Sequence, residues 1–232
     1  MNATRIEWAD ITINPIVGCS KCSPSCDNCY VERFAARLAK NPKTAAKYAG
    51  VVDESGKWNG QVVYDLQCMN ALRGMRKPRR IFVGSMGDIF HQRVSFDKLR
   101  LLFCMMDAHS QHTYCLLTKR PERMYSFCAD NANPALSNVW LGVTVRNQAE
   151  ADEKIPILLQ TPAAKRFVSV EPMLGAVDMS RWVFDRRAEI NHLVNGPACL
   201  NYDQADARVA YPLDWVICGG ETGPGARDMK RE

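Results

Sequence analysis

Four cysteines, Cys19, Cys22, Cys26 and Cys29, stand within eleven residues in the run GCSKCSPSCDNCY. Thiolates are the soft ligands of iron–sulfur clusters and of zinc, and clusters are commonly held by short spacings inside one loop. The pattern C-x2-C-x3-C-x2-C contains C-x3-C-x2-C, a tripod for three irons of a [4Fe–4S] cluster whose fourth iron would stay open to a small molecule. Zinc competes, because two C-x2-C pairs make a familiar ligand set. Structural zinc sites, however, usually separate their pairs by a dozen or more residues, and here only Ser23, Pro24 and Ser25 intervene. Disulfides compete less well: Met1 to Asp10 is polar and carries Arg5, Glu7 and Asp10, which is no secretory signal, and an intracellular chain keeps its thiols reduced. The cluster reading leads and places the protein in the cytoplasm.

A second set of polar residues sits where short apolar runs end. Gly84, Ser85 and Asp88 follow one run, then His91; Thr118, Lys119 and Arg120 follow the next. Thr144 and Asn147, Ser169 and Glu171, and the glycines Gly219 and Gly220 follow three more. Ligands of parallel α/β folds bind at the carboxyl ends of strands, so these turns and the cysteine loop are expected on one face. Lys119 and Arg120 are candidates for an anionic substrate group, phosphate in particular. Alternatively Asp88 caps a helix, and Glu171 pairs with Lys165 or Arg166.

The elements that would position these groups alternate along the chain. Ile11–Val17 is a strand candidate weakened by Asn14-Pro15. Tyr30, Phe34 and Leu38 recur at helical spacing until Asn41-Pro42 stops the helix. Residues 43–64 read as a hairpin-like excursion with turns at Ser55-Gly56 and Asn59-Gly60, and a helix is expected from Asp65 to Met75. Strands are expected at Arg80–Ser85, Thr113–Leu117, Val139–Val145, Phe167–Val170 and Trp215–Cys218. Helices are expected at Ser95–Ala108, Arg120–Asp130 and Gln148–Gln160, with Pro156 kinking or ending the last. Right-handed crossovers then give a mainly parallel six-stranded sheet, either a partial barrel or an open doubly wound sheet, in one domain with a second excursion at about 178–212.

Apolar residues make up 47% of the 232, enough for a substantial core, and no run is long enough for a membrane span. The net charge of +5 hints weakly at an anionic partner. Arg76, Lys77, Arg79 and Arg80 form the sharpest basic cluster, read as a solvated turn, and Cys68, Cys104, Cys115, Cys128, Cys199 and Cys218 read mostly as small core residues.

The segments WADITINPIVGC with SPSCDNCY, IFVGSMGDIFH, LLTKRPERM, VWLGVTVRNQ, RFVSVEPMLG and DWVICGGETGPGARDM resemble the phage-associated three-cysteine-motif family of uncharacterised proteins. That family resembles the radical S-adenosylmethionine (radical SAM) enzymes. The resemblance implies a partial (β/α)6 TIM-like barrel holding a [4Fe–4S] cluster and S-adenosylmethionine. It implies reductive cleavage of that cofactor to a 5′-deoxyadenosyl radical, with electrons from a flavodoxin- or ferredoxin-like donor. The family's C-x6-C-x2-C maps to Cys19, Cys26 and Cys29, with Cys22 as an extra, whereas radical SAM enzymes have an aromatic residue where Asn28 stands. By the same resemblance Asp88, with Gly84 and Ser85, would hold the methionyl amino group. Thr144 and Asn147 would meet the ribose, Glu171 would face the cavity, and Gly219 and Gly220 would lie by the adenine. The family continues past GARDM, so the closing elements of the barrel are expected to be missing. A nucleotide or nucleic acid is the expected substrate in a bacterial or phage-infected cell, and a partner chain is allowed for. The alternatives are a zinc-binding nucleic-acid-binding protein without catalysis, with Lys119, Arg120 and the Arg76–Arg80 cluster on phosphates, and a degenerate barrel that only presents an interaction surface.

Overall fold

The computed structural model describes residues 4, 6–130, 135–180, 182, 213–221 and 226–227. Short β-rich runs separated by amphipathic helices build a mixed α/β fold, as the alternation predicts. β1 (Ile11–Ile13) ends at Asn14-Pro15, and the chain resumes as β2 (Ile16–Val17), which pairs antiparallel with β3 (Val63–Tyr64). The single strand expected over 11–17 is therefore two, because proline has no N–H for the ladder. Between them run α1 (Tyr30–Ala39) and the short α2 (Ala45–Tyr48), and then the turns at Gly56 and Gly60, both with positive φ.

Residues Leu66–Gly74 form a 3-10 helix where an α-helix was expected. Three βα units and two further strands follow among the described residues: β4 (Arg80–Val83), α3 (Phe96–Asp107), β5 (Thr113–Thr118), α4 (Pro121–Cys128), β6 (Val139–Thr144), α5 (Gln148–Gln160), β7 (Lys165–Val170) and β8 (Trp215–Cys218). Ser95 caps α3 by accepting the Lys98 N–H. α5 runs through Pro156 to Gln160 and is not ended by it.

The sheet order is β1-β4-β5-β6-β7-β8, and all five ladders are parallel. The order never reverses, so the sheet has no switch point and is not doubly wound. It is open, with β1 and β8 as its edges among the described residues. Most of the excursion expected at 178–212 lies outside the described residues, as does Cys199. Among the described residues no helix is long and apolar enough to cross a membrane.

Alternate side chains divide the sheet. Ile81, Val83, Leu116, Leu141, Val143 and Val168 join Leu99, Leu102, Phe127 and Ile155 of the helices in the main core. Each such side chain contributes roughly 1.5–3 kcal/mol when fully buried. The opposite face carries Cys115, Phe167 and Ile217, with Trp8, Trp140 and Trp215 packed against them near the strands' amino ends. Gly142 belongs here for a steric reason: a Cβ would lie 2.5 Å from the Phe167 ring. Arg80, expected in a solvated turn, places its guanidinium 5.5 and 5.3 Å from the Trp140 and Trp215 rings. Of the scattered cysteines, Cys115 and Cys128 are core residues, whereas Cys104 and Cys218 are exposed.

Candidate functional site

The cysteine loop leaves β2 at the carboxyl edge of the sheet and is locked there by backbone contacts. Gly18 has φ +99°, a conformation that suits glycine, and its N–H donates to the Met86 carbonyl at 3.1 Å. Gly18 and Gly87 form a parallel bridge so close that a Cβ on Gly87 would lie 2.7 Å from the Gly18 oxygen. Asn14 ties β1 to the same turn, accepting from the Ser85 hydroxyl at 3.1 Å and the Met86 N–H at 2.9 Å. The turn from Gly84 to Asp88 thus lies against Asn14 and Gly18, at the start of the cysteine loop.

Asp88 is buried and fully engaged. One carboxylate oxygen accepts from Thr118 Oγ1 at 2.8 Å and the Phe90 N–H at 2.9 Å. The other accepts from Arg120 Nη1 at 2.8 Å and the Lys119 N–H at 3.2 Å. Arg120 then reaches the cysteine loop: Nη2 donates to the Ser20 carbonyl at 2.8 Å and its hydroxyl at 3.1 Å, and Nη1 lies 3.7 Å from Cys19 Sγ. A carboxylate on β4's turn therefore holds a loop from β2 through a guanidinium on β5's turn.

His91 closes the network. Its Nδ1 accepts the Arg93 N–H at 3.2 Å, so the proton sits on Nε2, which donates to Ser20 Oγ at 2.8 Å. Burial, then the Arg120 charge, push its pKa down to about 4. As pH falls below the unfolded value of 6.5 the unfolded chain takes the proton first, so stability is complete above that pH and declines until about 4. The unfolding free energy from denaturant titrations is expected to drop across that window by on the order of 2 kcal/mol after solvent screening. His91→Gln, which keeps a donor for Ser20 but does not titrate, is expected to flatten the slope.

The thiols feel opposed fields. Burial pushes Cys19 up to about 11, with Asp88 adding and Arg120 opposing. Cys22 keeps its proton and shares it with Cys26, which raises the first and lowers the second; Lys119 also favours the Cys26 thiolate. Lys119 is half-buried, which works against its charge, yet Cys26, Cys29, Asp88 and Cys19 hold its pKa above the ordinary value. Lys119 and Arg120, expected to meet substrate, thus face the sulfurs. Soft donors balanced by two cations suit a thiolate-held metal. Among the described residues no three metal-ligating side chains are already gathered as a metal site.

The remaining candidates divide. Ser169 Oγ donates to Glu171 at 3.1 Å, and a Cβ on Gly219 would lie 2.5 Å from the same carboxylate. Gly219 is thus small to admit Glu171, while Gly220 would meet nothing within 4 Å. Neither Lys165 nor Arg166 pairs with Glu171; the Lys165 amine and the Arg166 N–H both go to Asp214, at 2.7 and 2.8 Å. Asn147 is the N-cap of α5, accepting the Glu150 N–H at 3.0 Å. Thr144 is buried at the end of β6, its carbonyl accepting from Lys154 at 3.3 Å.

The strand-end group and the cysteine loop act on common residues. Burial, then the charges of Cys29 and Glu171, push the Tyr30 hydroxyl pKa up. Glu221, beyond Gly220, bonds Asn28 of the cysteine loop and is gripped by Arg227 at 2.6 and 3.0 Å, which lowers its pKa to about 2. Ser20 and Glu221 were not singled out in the sequence, and Asn28 stood out only as the place of an aromatic residue in radical SAM enzymes; their partners lie far along the chain, and only GGE beside the strand end signalled Glu221.

A family model described as "Protein of unknown function (DUF5131)" matches residues 3–232. No curated protein and no solved structure matches the chain.

Proposed function

The chain belongs to the DUF5131 family, of unknown function, and we propose, from its cysteine loop and the resemblance of its motifs, that it is an iron–sulfur enzyme of the radical SAM type. The observation that carries the reading is the position of the cysteine loop: four thiols at the carboxyl edge of a sequentially ordered parallel sheet, facing Lys119 and Arg120. Sequential order with right-handed crossovers leaves the helices on one face and favours a sheet curled like a partial (β/α)6 barrel, with its other face free for ligand.

Cys19, Cys26 and Cys29 would hold the cluster, with Cys22 beside Cys26 as a fourth thiol. When bound, such a cluster supplies the electron that reductively cleaves S-adenosylmethionine, received from a flavodoxin- or ferredoxin-like donor. Lys119 and Arg120 offset the thiolate charge, and Ser20, His91 and Asp88 fix the loop. Thr144, Ser169 and Glu171 present a hydroxyl-and-carboxylate rim at the strand ends, suited to hydrogen-bonding a ribose or an ammonium. Asp88, with both oxygens engaged, acts as a positioning residue. The association with phage and the cytoplasmic location belong to the same reading.

The test is electron paramagnetic resonance on anaerobically purified, dithionite-reduced protein, with metal analysis. A [4Fe–4S]+ signal that changes on adding S-adenosylmethionine is expected, and Cys26→Ser should abolish signal and iron together. One zinc per chain and no iron would overturn the reading in favour of a zinc-binding protein. A cluster signal indifferent to S-adenosylmethionine would overturn the enzyme class.

A further inference from the structure

The helix that follows the cysteine loop turns an unusual face outward. Tyr30 is 48% exposed and Phe34 46%, and among the described residues only Leu101 and Tyr125 are comparably exposed large apolar side chains. Those two are on other helices, whereas Tyr30 and Phe34 touch edge to face with centroids 6.4 Å apart. One turn further, the Arg37 guanidinium lies over the Phe34 ring at 4.5 Å. The spacing 30, 34, 37 makes one continuous stripe along α1. Arg33 and Lys40 are exposed beside it, and Lys43 lies just past the helix.

The acid of α1 itself is turned away from this stripe. Glu32, the acid of α1, is buried on the opposite side, where it takes the Trp58 N–H at 3.2 Å and the Lys57 amine at 3.3 Å. The core-facing residues of α1 are Val31, Ala35 and Leu38. The helix therefore does not need Tyr30 or Phe34 for its own packing. Half-exposed aromatic rings flanked by guanidinium and ammonium groups match a chain of bases joined by phosphates: bases stack on rings, and phosphates meet cations. Duplex nucleic acid hides its base faces, so the stripe fits single strands.

We propose that the Tyr30–Phe34–Arg37 face of α1 binds single-stranded nucleic acid and leads it toward the cysteine loop, where Tyr30 immediately follows Cys29. This names the substrate class for the site of the preceding reading. The binding itself requires neither iron nor S-adenosylmethionine, so the two ideas fail separately.

The test is fluorescence anisotropy of the purified full chain with a labelled 15-nucleotide oligo(dT), against a duplex of the same length, over a salt series. Binding that weakens with salt and favours the single strand is expected. Tyr30→Ala with Phe34→Ala should weaken it by about tenfold or more, as removal of base-stacking rings does elsewhere. Arg37→Gln should lower the salt slope. Thermal melting and iron content of the single variant Phe34→Ala should stay at the wild-type values, because that ring is half-exposed and not part of the core. Equal affinity for duplex and single strand, or full retention of oligo(dT) affinity in the double variant, would overturn the proposal, as would no binding at low salt.

Discussion

Replacing Asp88 with alanine is expected to cost the protein both stability and its grip on metal. The Asp88–Arg120 pair is nearly solvent-free, with side-chain exposures of 7% and 13%. Removing one partner of such a pair typically costs about 3–5 kcal/mol, because the other charge stays buried and uncompensated. For a chain of this size that lowers the melting temperature by about 10 °C. The larger consequence is at Ser20 and Cys19: without Asp88 the guanidinium has nothing to hold its fork against the cysteine loop, so iron content after anaerobic reconstitution should fall severalfold.

A second substitution separates charge from clamp. Arg120→Met added to Asp88→Ala removes the stranded cation and should restore part of the melting temperature, yet it also removes the contacts to Ser20, so iron should remain low. If Asp88→Ala instead keeps iron and melting temperature and loses only affinity for S-adenosylmethionine, Asp88 contacts that ligand, the role the radical SAM resemblance implies.

This network also marks where the sequence stops being informative. The strands were legible because each is a short apolar run flanked by turn residues: five of the six segments found by that rule are strands of the parallel sheet, and the first, 11–17, gives that sheet only Ile11–Ile13. Their polar ends were legible as a group for the same reason. What each polar residue does was not, because the partner is set by the fold: Asp88 meets Arg120 across 32 positions, and Asn28 meets Glu221 from the far end of the chain. Asn147 shows the converse, since a residue at a strand end is also a residue before a helix, and here the cap prevails. The apolar spacing on α1 groups Tyr30 and Phe34 with Leu38, but only Leu38 packs inward, with Val31 and Ala35, while the two rings are half-exposed. Only the rotation imposed by the preceding loop decides which stripe packs inward. Of the two effects expected of Pro156, ending the helix is ruled out, because the tertiary packing of Ala151, Ile155 and Leu158 around it outweighs one missing N–H.

Gly18→Ala is expected to be the most damaging small substitution in the cysteine loop. At φ +99° any side chain is strained, a cost of about 1–3 kcal/mol. Space adds to it: the new Cβ would lie 2.2 Å from the Gln61 carbonyl oxygen and 2.8 Å from a Val51 methyl. The first neighbour is backbone, held by the turn at Gly60, and cannot swing aside as a long side chain would. Overpacking of this kind costs about another 1–3 kcal/mol, so a total near 4 kcal/mol and a melting temperature about 10 °C lower are expected. Gly60→Ala provides the control, since it has φ +79° but its Cβ would meet Ser20 only at an ordinary 3.9 Å. It should lose the conformational part alone and keep its iron, whereas Gly18→Ala, which displaces the residue carrying Cys19, should lose iron with stability. Equal melting temperatures for the two variants would mean that the loop gives way at Gln61 and that the Gly18–Gly87 crossing does not hold the cysteines in place.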